Sequence, residues 1–302
     1  MSEMVGWSEI LTALTPWESR AGRWYKREDY CAPMGYGAVN GAKFRQCLYL
    51  LQQAASRGHT GITTGASVLS PQLPMSAVIA NHVGLPLRIF IGGTTVDKAV
   101  RHRNVEIAME YGAEFQAIKV GYNPALQSAV LKDVATTGRY HLRYGISPDP
   151  AEDDVLAFHK IGAAQVQGVP EGLTHLIVPC GSANSTISIL LGLSQYSHSV
   201  KKVTLVGIGP NRERLISERL ELFTRRLGTR LPKDLEVSMR DLHSTGVVSY
   251  GKKVKQNLDG IIFHPTYEGK VVNYLLNNPD VARGFVEGDG TTGLWIIGSE
   301  PS

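Results

Sequence analysis

Lys43 stands in the run Asn40-Gly41-Ala42-Lys43-Phe44-Arg45-Gln46, beside an apolar stripe of Phe44, Cys47, Leu48, Leu51 and Ala55. That spacing predicts a helix with Asn40 as its N-cap and Gly58 as its stop. A lysine at the edge of an apolar stripe is partly desolvated, which favours the neutral amine, the form that attacks carbonyl carbon. Schiff-base formation is the chemistry this permits. A lysine that snorkels its ammonium to water from a helix start shows the same local pattern, so the stretch alone leaves both readings open.

A second run, Leu176-Ile177-Val178-Pro179-Cys180-Gly181-Ser182-Ala183-Asn184-Ser185-Thr186, leads from a buried strand through a small, hydroxyl-rich turn into a helix. Free backbone N–H groups, the positive end of the helix dipole and Ser/Thr hydroxyls together make an anion cradle. No Gly-Lys-Ser/Thr follows, so it is not a Walker loop, and the glycine spacing is not that of a dinucleotide fingerprint. One phosphate is the natural guest; an ordinary capped strand-to-helix turn fits the same residues. A carbonyl-reactive lysine together with a monophosphate cradle points to pyridoxal 5′-phosphate, whose aldehyde needs an amine and whose phosphate needs N–H donors.

The elements that must position these residues alternate. Runs at 61–64, 75–83 and 87–91 are followed by a helix near 97–111, a strand near 114–120 and a helix near 124–137. Beyond Tyr140–Tyr144 come a helix near 153–167, the strand at Leu176, a strand at 203–206 and a helix near 211–226. Strands separated by helices of this length imply crossover connections, a largely parallel sheet and an α/β fold. The turn Ser147-Pro148-Asp149-Pro150 predicts a boundary that closes a smaller α/β domain over 51–150. Residues 1–50 and 151–302 then form a larger, cofactor-binding domain. The stretch 232–260 carries no clear pattern.

Composition narrows the class. The chain has 302 residues, 43% hydrophobic and 19% charged, as in a soluble globular protein. No apolar run approaches the ~20 residues of a membrane helix, and the N-terminus lacks a secretory pattern. Three scattered cysteines make neither a disulfide framework nor a zinc site, which suggests the cytoplasm. Nine histidines show no metal-ligand spacing, so no metal is expected; His59, His82 and His264 read as surface or packing residues. A net charge of +4, with clusters at Lys201-Lys202 and Lys252-Lys253-Val254-Lys255, permits a polyanionic partner such as nucleic acid without requiring one.

On five ordered motifs the chain resembles the fold-type II (tryptophan synthase β-like) pyridoxal-phosphate enzymes, particularly the aminocyclopropane-carboxylate deaminase and D-cysteine desulfhydrase branch. The motifs are Lys26-Arg27-Glu28-Asp29, Asn40 to Arg45, the Gly65 to Gln72 loop, the Gly181 to Ser185 loop, and His264-Pro265-Thr266-Tyr267-Glu268-Gly269-Lys270. The resemblance implies two open, mostly parallel twisted sheets flanked by helices, with the cofactor in the cleft between domains and commonly a homodimer. It implies that Lys43 forms the internal aldimine and shuttles the α-proton, and that Gly181, Ser182, Ala183, Asn184 and Ser185 hold the phosphate. Ser67, Ser70, Gln72 and Tyr267 are implied at the substrate, with Ser70 and Tyr267 beside Lys43 as catalytic groups. Ser299 is implied at the pyridine nitrogen, where a hydroxyl leaves the nitrogen largely unprotonated and favours elimination over transamination.

One departure matters. Where the family reads Ser-Asn-Gln or Ser-Asn-His around the substrate carboxylate and the cofactor's phenolic oxygen, this chain reads Ser70-Pro71-Gln72, and proline offers neither an amide side chain nor an N–H for the ring-oxygen contact. The expectation is a pyridoxal-phosphate enzyme doing α-carbon chemistry (deamination, β-elimination or rearrangement) on an amino acid or a molecule bearing one. The altered loop keeps two alternatives open. One is a bacteriophage enzyme that remodels amino-acid-substituted thymidine in hypermodified DNA; the other is a cofactor-binding pseudoenzyme.

Overall fold

A computed structural model describes residues 6–35, 39–121, 123–249 and 251–298. In chain order its strands are β1 (Trp17–Arg20), β2 (Arg23–Arg27), β3 (Ile62–Gly65), β4 (Leu87–Gly92), β5 (Glu114–Ile118), β6 (Tyr140–Leu142), β7 (His175–Cys180), β8 (Lys202–Gly207), β9 (Glu236–Asp241), β10 (Asn257–Leu258), β11 (Ile261–Ile262) and β12 (Thr292–Ile296). The helices are α1 (Lys43–Ser56), α2 (Gln72–His82), α3 (Val96–Ala99), α4 (Arg103–Glu110), α5 (Asn123–Thr137), α6 (Glu152–Ala163), α7 (Asn184–Gln195), α8 (Glu213–Leu227), α9 (Glu268–Asn277) and α10 (Arg283–Glu287). Among the described residues no helix is long and apolar enough to cross a membrane.

The chain forms two compact units. The first runs to Lys43 and resumes at His159; the second spans Phe44–Phe158. In the first, a six-stranded sheet has the order β1-β2-β12-β7-β8-β9, parallel throughout except for the β1–β2 hairpin. β7 and β8 are buried along almost their whole length because both faces are covered, as central parallel strands require. Tyr25, Ile177, Val206, Val271, Phe285 and Leu294 share its core. The second unit has a four-stranded, all-parallel sheet, β5-β4-β3-β6. Its core includes Phe90, Leu126 and Val130 under α5.

Several sequence boundaries move. The helix expected near 97–111 is broken into α3 and α4, with His102 extended between them. The unpatterned stretch 232–260 contains β9, an edge strand whose mostly open face removes the apolar alternation that would reveal it. α1 begins only at Lys43, three residues after Asn40, and the Asn40 carboxamide donates to the Asp29 carbonyl (2.9 Å).

α7 is set tightly by Gly192. A Cβ there would collide with the Ala163 carbonyl and the Val166 side chain. In an open helix Gly→Ala stabilises by about 1 kcal/mol, whereas overpacking costs about 1–3. Gly192→Ala is therefore expected to destabilise by about 1–2 kcal/mol, read as a lower thermal midpoint. A higher midpoint would show that the contact yields without cost.

Candidate functional site: a lysine, an uncapped helix and a buried carboxylate

In the first unit the turn before α1 brings Lys43 to a fixed place. Gly41 takes φ +109°, a conformation glycine tolerates, and its N–H donates to the Cys31 carbonyl (3.0 Å). Lys43 is half-buried, and its Nζ donates to Ser182 Oγ at 3.0 Å, joining positions 139 apart in sequence. The lysine and the hydroxyl-rich loop thus belong to one site.

That loop leaves β7 at Cys180 and enters α7 through Ala183, which is left-handed at φ +70° and provides no side-chain cap. The opening residues of the twelve-residue helix are buried, and among the described residues Ser185 Oγ has no hydrogen-bond partner. Buried hydroxyls and helix-start N–H groups ordinarily find partners, so this end of α7 is built for an external acceptor. The open space beside Gly181, where a Cβ would meet nothing within 4 Å, leaves room for one. The donor set fits a phosphate. Cys180 is no competing nucleophile, because burial pushes its thiol pKa up.

The 264–270 motif supplies the other end. Tyr267 is half-buried and precedes α9, with its ring 4.6 Å from that of His264. His264 is buried, as a packing residue would be. Its Nδ1 accepts the Thr266 N–H (3.1 Å), and burial with the nearby Lys253 and Lys270 ammoniums pulls its pKa down to about 3, so the ring is neutral.

Glu268, the first residue of α9, is fully buried. Its Oε1 accepts the N–H groups of Ile297 (2.8 Å) and Gly298 (2.7 Å), while Oε2 has no partner among the described residues. A Cβ on Gly298 would strike that free oxygen. Burial pushes the Glu268 carboxyl up to about 7 despite the backbone N–H groups that favour its charge. The sequence does not single out Glu268, because an acid at a helix start is common there for the dipole alone. Ser299, expected at the pyridine nitrogen, lies outside the described residues, directly after the Gly298 that Glu268 holds.

The Ser67–Gln72 loop belongs to the second unit. Ser67 is exposed, and its Oγ accepts the Leu69 N–H (3.3 Å). Ser70 Oγ accepts the Gln72 N–H (3.2 Å) as α2 opens, and Pro71 precedes that helix at αR angles, where a missing N–H breaks no helix bond. Gln72, expected at the substrate, is held at the start of α2 by its own bonds. Its amide nitrogen donates to Thr64 Oγ1 (2.8 Å) and the Arg143 carbonyl (3.3 Å), and its Oε1 accepts the Gly145 N–H (2.8 Å). Both amide hydrogens are engaged within the unit, so Gln72 braces the 143–145 turn.

No family model matches the sequence. A curated relative from Salmonella phage ViI, an O-seryl-dTMP PLP-dependent decarboxylase, is 30% identical over 362 aligned positions, covering 98% of this chain and 84% of the relative. Among solved structures, an ACC deaminase homologue superimposes with a TM-score of 0.71 at 19% identity, covering 96% of this chain and 90% of that one. A pyridoxal 5′-phosphate-dependent aspartate racemase does so at 0.60 and 15%, covering 99% and 97%. With the lysine, the uncapped α7 and the two parallel sheets they share one conclusion: the chain belongs to the fold-type II pyridoxal-phosphate-dependent enzymes.

Proposed function

We propose that the enzyme is an α-decarboxylase for an amino acid carried on a thymidine nucleotide. The observation that carries this is the 30% identity, over nearly the whole chain, to the phage O-seryl-dTMP decarboxylase. Pro71 sets the chain apart from the deaminase branch, because it offers no amide to the cofactor's phenolic oxygen where that branch has an asparagine. When bound, pyridoxal phosphate supplies a sink for the electron pair released at the α-carbon.

In this reading Lys43 links the cofactor aldehyde, and Gly181 to Ser185 with the α7 N–H groups hold its phosphate. Glu268, which holds the Ile297–Gly298 backbone, would serve the ring nitrogen, where a carboxyl pushed up to about 7 could exchange a proton. Tyr267 and the hydroxyls of Ser67 and Ser70 orient the amino-acid part. The bond from the α-carbon to the carboxylate breaks, carbon dioxide leaves with the carboxyl carbon, and the Lys43 ammonium returns a proton to the α-carbon.

The test gives the holoenzyme O-seryl thymidine nucleotide, free serine, D-cysteine and aminocyclopropane-carboxylate in parallel. The expected result is carbon dioxide and a nucleotide product that keeps its amine, with little turnover of the free amino acids. Ammonia and a 2-oxo acid from the free amino acids, without carbon dioxide, would replace this reading by a deaminase.

A further inference from the structure

Several cations of the first unit meet carboxylates: Lys201 pairs with Asp234, Arg23 with Asp259, and Arg27 with Glu18 and Asp29. Lys252, Lys253 and Lys255 are different. All three are exposed, they fall within four residues, and none meets a carboxylate among the described residues. Like charges so close repel one another, an arrangement that an anion relieves.

The segment is fastened to the site-bearing motif. Half-buried Val254 between the lysines donates its N–H to the Pro265 carbonyl (2.8 Å). Gln256 accepts the Phe263 N–H through its carbonyl (3.0 Å), and its side chain donates to Asn273 Oδ1 of α9 (2.9 Å). Upstream, Lys270 Nζ donates to the Ser249 carbonyl (2.8 Å). A Cβ on Gly269 would collide with the Val254 carbonyl, so the strap lies directly on the start of α9 only because that residue is glycine. The Lys253 charge is felt by the buried His264 ring. The chain thus presents a strip of exposed ammonium groups fastened at Pro265, two positions before Tyr267 in sequence.

We propose that Lys252, Lys253 and Lys255 form a nucleotide-phosphate site at the rim of the 264–270 motif. They would hold the phosphate of the substrate nucleotide itself or those flanking it in a DNA strand. The proposal rests on the nucleotide reading above and adds where the nucleotide is gripped. It is separate from the cofactor's phosphate, which the start of α7 takes.

The experiment compares the wild-type holoenzyme with the triple variant Lys252→Gln, Lys253→Gln, Lys255→Gln, with Lys253→Gln alone, and with a control triple, Lys201→Gln, Arg230→Gln, Lys233→Gln. Binding of a single-stranded oligothymidylate is followed by fluorescence anisotropy from about 50 to 200 mM salt, and KM is measured for a free aminoacyl-thymidine monophosphate. Losing three phosphate contacts is expected to flatten the slope of log K against log salt by about 2, and the single variant by about 0.7. At low salt the triple variant should bind at least about tenfold more weakly, with kcat unchanged. A rise in KM for the free nucleotide as well assigns the strip to the substrate's own phosphate. An effect confined to the oligonucleotide assigns it to flanking phosphates.

Wild-type binding and slope in the strap variants, or an equal loss in the control triple, overturns the proposal. Carbon dioxide release with unaffected strap variants would remove the phosphate site and keep the decarboxylase. Weakened oligonucleotide binding without any decarboxylation would do the reverse.

Discussion

Lys43→Ala is expected to lower turnover by at least about 10³-fold and to remove the visible absorbance of the holoprotein. On the proposed reading the side chain has two tasks that alanine cannot share: it anchors the cofactor and it carries the proton at the α-carbon. Lys43→Arg is expected to fail as well, because a guanidinium stays protonated and is no nucleophile. The loss should not come from unfolding. Lys43 is half-buried at the first position of α1, and its bond to Ser182 is worth about 1 kcal/mol. Thermal midpoints close to wild type, measured beside steady-state rates, would confirm this. Turnover within tenfold of wild type would show that another amine serves the cofactor.

Glu268→Gln is expected to lower turnover by about 10²-fold, the usual effect of removing one preorganised charge partner in a water-poor site. The variant should fold, since the glutamine oxygen can still accept the Ile297 and Gly298 N–H groups. It also has a pH signature in the cofactor-free protein. The carboxyl is raised by burial from 4.5 to about 7, so the folded state favours its protonated form. Below about pH 4.5 folded and unfolded chains are both protonated, and the stability is complete. As pH rises through 7 the unfolded chain has released the proton first, and about 3 kcal/mol is lost. Wild type should therefore melt lower at pH 7.5 than at pH 5, relative to Glu268→Gln. A wild-type curve parallel to the variant's would mean that this carboxyl titrates normally when folded.

The two residues differ in how far their place could be read. Lys43 and the Gly181–Ser185 loop each leave a local trace: a lysine beside an apolar stripe, a strand running into small residues. Their meeting is a non-local event, made by β7 lying three strands into a sheet that β2 and β12 complete. β7 and β8 were legible because strands buried on both faces are continuously apolar. β1, β2 and β9 sit toward the sheet's edges and show no such run.

Glu268 was hidden for a different reason. Nothing in Tyr267-Glu268-Gly269 says that α9 will lie against the end of β12, and only that packing turns a helix-start acid into a buried carboxylate with one oxygen free. Gln72 shows the converse. Its place in a family motif suggests a ligand contact, but the turn at 143–145, far along the chain, engages its amide. Asn40 likewise has the composition of a helix cap, yet α1 opens three residues later and the side chain goes to Asp29.

The most direct measurement is chemical. Borohydride reduction of the wild-type holoenzyme fixes the cofactor to whichever lysine carries it, and peptide mass mapping then reads the position. The account predicts the pyridoxyl group on the peptide containing Lys43 and on no other. A label on Lys26, Lys270 or the 252–255 lysines, with Lys43 unmodified, would contradict it.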